Sequence, residues 1–110
     1  MRTVEAMADT DCYCPAGGVL ELLSRRYAIQ VVCAVGALGT ARHGEIATAL
    51  DGASSSTLSA RLGELEDAGL LDRTQYDEIP PRVEYSLTDD GESLCRRLEP
   101  LVEWVRERDA

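Results

Sequence analysis

A mainly α fold carrying one two-stranded β hairpin is what this sequence predicts, and three observations predict it. Leucines recur at i, i+4, i+7 as Leu58, Leu62 and Leu65 and again as Leu94, Leu98 and Leu101, the spacing of a helix that buries one face. Residues 82–87, RVEYSL, follow two prolines and read as a strand, and residues 70–76, LLDRTQY, supply a strand partner. At 110 residues and 45% hydrophobic, the chain holds one domain with a modest core, too small for a large enzyme fold with its own cofactor site.

Residues 1–13 show no hydrophobic periodicity and are expected to form a flexible tail, the domain running from 14 to 110. Val19, Leu20, Leu22 and Leu23 mark a helical turn or two. Tyr27, Ile29, Val31, Val32 and Val35 mark a largely buried second helix, expected to end at Gly36 and Gly39. His43 to Leu50 forms a short helix with Ile46 and Leu50 at i, i+4, and Asp51-Gly52 is a turn signal. Ser54 or Ser55 caps the next helix, which Ala68-Gly69 closes. Pro80 and Pro81 lack N–H groups and therefore belong in the hairpin connection, which they stiffen. Thr88 or Asp89 caps a final helix, about 89–109, whose stripe of Leu94, Leu98, Leu101, Val102 and Val105 is bent by Pro100. No partner for that stripe remains in the chain, which argues for a second copy.

Charge narrows the function classes. Twenty acids stand against eleven basic residues, all arginine, for a net charge of −9, and acidic proteins are uncommon among those that bind phosphate-rich partners. The acids are unevenly placed, however, and residues 52–63 contain none. At 100° per residue, Ser56, Ser59, Ala60 and Gly63 fall opposite the leucine stripe, giving the 54–66 helix a small, hydroxyl-bearing outward face that Arg61 flanks. Catalytic residues are not indicated: no nucleophile, base and orienting group occur at a suggestive spacing, and no glycine-rich phosphate loop exists. The single histidine, His43, has no spaced partner, so neither metal nor cofactor is expected. Without an export signal or an apolar run long enough to span a bilayer, the chain is expected to be cytoplasmic with reduced cysteines. Cys33 and Cys95 fall in apolar patterns as core or interface residues, while Cys12 and Cys14 lie in a polar stretch. The lysine-free, acid-rich composition is that expected of a halophilic archaeon's protein, working at molar salt.

Short helices, a hydroxyl-faced helix and then a two-stranded hairpin is the order of a winged helix-turn-helix. The residues resemble HxlR-type winged-helix transcriptional regulators over about positions 14–104. The resemblance is carried by Cys14-Pro15, Arg42-His43-Gly44-Glu45-Ile46, Ser54 with Leu58, Leu62, Glu64, Leu65 and Glu66, Gly69-Leu70, Gly91, Trp104 and, most specifically, the run Pro80 to Thr88 (PPRVEYSLT). The chain departs from the family pattern at Arg25-Arg26-Tyr27, His43, Ser56, Gly63 and Asp77. The resemblance implies a homodimer formed through the N- and C-terminal helices, recognition helices in successive major grooves, and wings over the flanking backbone of double-stranded DNA.

On that reading the DNA-facing candidates are Arg42, Ser54, Ser55, Ser56, Ser59, Arg61, Arg73 and Arg82, with hydroxyls and guanidinium groups meeting phosphates and base edges. Arg82, held just after two prolines, loses less entropy on binding than an arginine on a loose loop. Leu20, Leu23, Leu94, Leu98, Leu101, Val102, Trp104 and Val105 are the candidates for the dimer interface. Some members of the resembled family sense oxidants or electrophiles with a cysteine near position 14. A thiolate at a helix start is stabilised by the helix dipole, so Cys14 is a candidate sensor, the alternative being a cysteine that packs against the dimer partner. The competing functional reading is an acidic winged-helix module that docks a protein and never touches DNA.

Overall fold

The computed structural model describes residues 17–109. The expected tail, Cys12 and Cys14 lie outside the described residues. Five helices and a small antiparallel sheet follow in the order α1 (Gly17–Leu23), α2 (Ala28–Leu38), β1 (Thr40–Ala41), α3 (His43–Ala49), α4 (Ser55–Asp67), β2 (Leu71–Tyr76), β3 (Arg82–Leu87) and α5 (Asp89–Asp109). This is a winged helix-turn-helix: α3 and α4 are the helical pair, and β2 and β3 form the wing. No described helix is long and apolar enough to cross a membrane.

The sheet has three strands, not the expected two. Thr40 pairs with Ser86 and Ala41 with Tyr85, giving the order β1-β3-β2. A two-residue strand shows no alternation, so the sequence carries no pattern from which to read it. The wing itself is registered from Leu71↔Leu87 to Tyr76↔Arg82, leaving residues 77–81 as its connection.

The core gathers Val31, Val32 and Val35 from α2, Ile46 from α3, Leu58, Leu62 and Leu65 from α4, and Leu70 and Leu71 at the wing's base. Burying a side chain of this kind contributes about 1.5–3 kcal/mol, and the three α4 leucines fix which face that helix turns outward. Gly36 lies inside α2 rather than ending it. A Cβ at position 36 would stand 2.7 Å from the Cys95 sulfur, so the glycine is a notch that seats α5, and the helix ends instead at Gly39, whose φ is 81°.

Both ends of the wing are secured by helix caps. Leu70 donates its N–H to the Leu65 carbonyl and Gly69 to Glu66, the paired bonds of a Schellman motif, with Leu65 and Leu70 packed together in the core as the motif favours. Thr88 is the α5 cap: its Oγ1 accepts the Gly91 N–H at 2.9 Å and donates to the Gly69 carbonyl at 2.7 Å. Gly91 is required by packing, since a Cβ there would lie 2.1 Å from the Leu70 carbonyl oxygen. The Asp-Asp-Gly sequence thus marks the place where α5 starts against the wing's base. The helix then runs through Pro100 to Asp109 without interruption.

Candidate nucleic-acid interface

α4 begins at Ser54, whose Oγ accepts the Thr57 N–H at 3.1 Å and bonds the Thr57 hydroxyl at 2.9 Å. Ser54 is therefore occupied as the cap, which holds the first turn in place. Ser55, Ser56, Ser59 and Ala60 are exposed, while Leu58, Leu62 and Leu65 face inward. The outward face is small and hydroxylated because the apolar stripe claims the opposite side.

α3 is joined to this face by a contact that sequence reading missed. His43, half-buried at the first position of α3, places Nε2 3.2 Å from the Ser59 Oγ. The expectation that nothing pairs with His43 is corrected: the partner lies sixteen residues away on another helix, where no local spacing rule reaches. Arg42 precedes α3 with its backbone N–H donating to Glu45 Oε1 at 2.8 Å, which leaves its exposed side chain outside the cap.

The wing stands close to the same helix start. Arg42, His43 and Gly44 line a groove of about 400 Å³ whose other wall is residues 78–83 of the wing. Ile79, at the wing tip, is fully exposed. Arg42, the His43–Ser59 pair and Arg82 are thereby brought to one side of the molecule. Arg73 is exposed on β2 and reaches Gln75 at 3.4 Å.

Arg61 and Arg82 are not the free cations that the sequence suggests. Arg61 donates Nε to the Arg26 carbonyl at 2.8 Å and Nη1 to Glu64 at 2.8 Å, and its side chain is only 18% exposed. Glu64 also pairs with Arg25 at 2.9 Å, and Arg25 with Glu21 at 2.9 Å, so an ionic chain runs from α1 to α4. The corner that offers the Arg26 carbonyl passes through Tyr27 at φ 71°, a left-handed conformation costly for a non-glycine residue. In this placement Arg61, expected to face DNA, is engaged within the chain. Arg82 lies over the Tyr76 ring, 4.0 Å from its centroid, and pairs with Glu78 at 3.1 Å and Glu84 at 3.6 Å. Its Nε is enclosed with no hydrogen-bond partner among the described residues.

The residues expected at a dimer interface divide into two groups. Leu98 is 7% exposed and belongs to the chain's own core, and the partly buried Leu94 packs against that core, where the first half of α5 lies on α2 and β3. Leu20 and Trp104 are each 55% exposed, and Val19, Leu101 and Val105 are exposed as well. Leu23 on α1 shares an apolar groove of about 700 Å³ with Leu101, Val102 and Val105 on α5.

Residues 22–109 match the family model described as HxlR-like helix-turn-helix. The chain belongs to the HxlR-like family. It is 40% identical over 94 residues to an HTH-type transcriptional regulator of Synechocystis sp., an alignment spanning 86% of this chain and 66% of that relative. Among solved structures it resembles a possible HxlR family transcriptional factor of Thermoplasma volcanium, with TM-score 0.77, 30% identity and coverage of 86% and 84% of the two chains. It also resembles the transcriptional regulator YodB of Bacillus subtilis in its reduced form, with TM-score 0.69, 28% identity and coverage of 79% and 84%. YodB has also been solved after diamide treatment. The HxlR-like match begins at Leu22 and thus takes in the α1–α2 corner, both helices of the pair, the wing and α5.

Proposed function

We propose that this chain is a sequence-specific, DNA-binding transcriptional regulator that acts as a homodimer. One observation carries the reading: the exposed, acid-free serine face of α4 is tied through His43 to the groove that Arg42 shares with the wing. In a helix-turn-helix the second helix enters the major groove while the wing meets the flanking backbone. Ser55, Ser56 and Ser59 would then bond base edges or phosphates, and Arg42, Arg73 and, once released from its glutamates, Arg82 would bond phosphates. Family membership supports the same assignment.

The dimer would form through the exposed apolar side chains of α1 and the second half of α5, Val19, Leu20, Leu101, Trp104 and Val105, around the groove that Leu23 shares with Leu101, Val102 and Val105, since exposed apolar surface of this kind marks an interface. Two copies place their α4 helices about one DNA turn apart, roughly 10 base pairs. Cys14 is the candidate thiol sensor, and the likeness to YodB supports testing it. Titrating DNA binding with diamide in the wild type and Cys14→Ser separates a sensor, whose curve shifts on substitution, from a cysteine with no such role, whose curve does not.

The direct test of function is selection of bound fragments from host genomic DNA, followed by mobility shift with Ser56→Asp and Ser59→Asp. The expected result is one enriched operator with paired half-sites, its binding abolished by either aspartate. The net charge of −9 and the internal capture of Arg61 and Arg82 favour a second reading, an acidic module that docks a protein. Selection that enriches no sequence at any salt concentration would favour that reading.

A further inference from the structure

Cys33 on α2 and Cys95 on α5 are both free and half-buried, and both line a cavity of about 390 Å³ closed by Glu99, Val102 and Arg106. Gly36 brings them together. The Cys95 sulfur sits 2.7 Å from where a Cβ at position 36 would be, and Cys33 lies three residues earlier on the same helix, where side-chain origins are about 5–6 Å apart. The Cys95 sulfur is therefore no more than about 8 Å from the Cys33 Cβ, by adding that helical spacing to the glycine contact. Nothing in the proposed DNA-binding surface uses either thiol.

Burial pushes both thiols above their ordinary range. At Cys33 the neighbouring Cys95 adds to the effect and Arg106 opposes it; at Cys95 Glu99 adds and Arg96 opposes. Both are thus protonated near neutral pH, which disfavours reagents that need a thiolate, such as peroxides. A soft Lewis acid that condenses with neutral thiols has no such requirement, and sulfur ligands select soft centres.

We propose that Cys33 and Cys95 form a two-thiol site for a trivalent arsenical, which bridges α2 to α5. For an arsenical R–As(OH)₂, two As–O bonds break and two As–S bonds form. Each thiol proton leaves with a hydroxide as water, arsenic stays trivalent, and no electrons are transferred. The product is neutral, which suits a half-buried cavity bordered by Glu99 and Glu103 better than a pair of thiolates. Ala37, Val102 and Arg106 line both this cavity and the groove that Leu23 shares with α2 and α5, so an occupied site tightens the base of the surface assigned to dimerisation. That consequence rests on the dimer reading; the binding site does not.

The experiment uses the full chain carrying Cys12→Ser and Cys14→Ser, which removes the other closely spaced cysteines, with phenylarsine oxide as the probe. Native intact mass should show one arsenical per chain, retained against excess glutathione and removed by a dithiol, and the melting temperature should rise by several degrees. Adding Cys33→Ala or Cys95→Ala should abolish both effects, and Cys33→Ser should do the same with the least change in packing, circular dichroism verifying the fold of each variant. Retention of the arsenical by any folded single-cysteine variant would overturn the proposal. So would the absence of uptake by the folded parent. A parent that takes up the arsenical but enriches no DNA keeps this site and removes the regulatory reading.

Discussion

Arg61 and Arg82 look alike in the sequence, each an arginine beside a surface expected to meet DNA, yet the fold satisfies them in different ways. Arg61 spans distant parts of the chain, reaching the Arg26 carbonyl thirty-five residues away and sharing Glu64 with Arg25. Arg82 is held within its own hairpin by Glu78, Glu84 and the Tyr76 ring, with its Nε left unbonded among the described residues. Arg61 bonds a backbone carbonyl, fixed in place by the chain, and its side chain is only 18% exposed. Arg82's partners are all side chains, and its two glutamates can rotate away. The lesson is that a cation's partners, more than its position beside a surface, decide whether it is scaffold or available for a ligand.

The largest expected effect follows from Arg61. Arg61→Ala removes the donor to the exposed Arg26 carbonyl and leaves the partly buried Glu64 with one partner fewer, at a cost of about 0.5–1.5 kcal/mol for each hydrogen bond lost. At roughly 4–8 °C per kcal/mol for a domain of this size, thermal melting should fall clearly below the parent's. Arg61→Lys should recover little of the loss, because an ammonium cannot bond the carbonyl and the carboxylate with a planar fork. Melting of Arg61→Ala at the parent's temperature would erase the distinction between the two arginines.

Arg82→Ala should show the reverse pattern. Ion pairs at a partly exposed site contribute about 0–1 kcal/mol, so melting should move little. DNA affinity should drop about tenfold, and the dependence of log affinity on log KCl should change by about 0.9, the value for one phosphate no longer neutralised. Mobility shifts across a KCl series measure both. A large stability loss with unchanged DNA binding would place Arg82 with Arg61 as scaffold.

The same contrast explains what was legible in the sequence. The leucine stripe of α4, its serine cap, its Ala-Gly end and the two wing strands are local patterns, and each appears in the structure within a residue or so of its sequence signal. The third strand, the His43–Ser59 pair and the Arg61–Arg26 contact each join residues far apart in the chain, and no periodicity encodes them. Leu94 and Leu98 share one helical stripe with Leu101 and Val105, yet the first pair packs on the chain's own core while the second pair remains uncovered. The period reveals that a face is apolar; which element covers it is settled only by tertiary packing. Gly36 carries a related lesson, for a glycine inside an apolar helix signals a close neighbour as readily as a helix end.

A smaller effect tests whether Arg82 is held back by its own glutamates. Glu78→Gln removes the closer carboxylate, at 3.1 Å and half-exposed, and Glu78→Gln with Glu84→Gln removes both. Exposed pairs of this kind are worth about 0.2–1 kcal/mol, so DNA affinity should rise up to about fivefold at low salt. The gain should shrink by 1 M KCl, where the screening length is about 3 Å. Unchanged affinity in the double variant would mean that the wing arginine is not restrained by these pairs.

The smallest expected change concerns salt itself. Proteins that bind DNA through many free cations lose affinity steeply as salt rises, because each neutralised phosphate releases a counterion. Here Arg61 is committed to the scaffold and Arg82 must leave its glutamates to meet a phosphate, so counterion release rests on Arg42, Arg73 and Arg82, while a net charge of −9 per chain repels the duplex at long range. Salt weakens both terms, and the repulsion acts over the distances at which screening is most effective. Affinity for the selected operator should therefore stay level or rise between 0.1 and 2 M KCl. A steep fall over that range, measured by fluorescence anisotropy, would show that Arg82 and its neighbours already act as free cations and that the contrast with Arg61 has no consequence for binding.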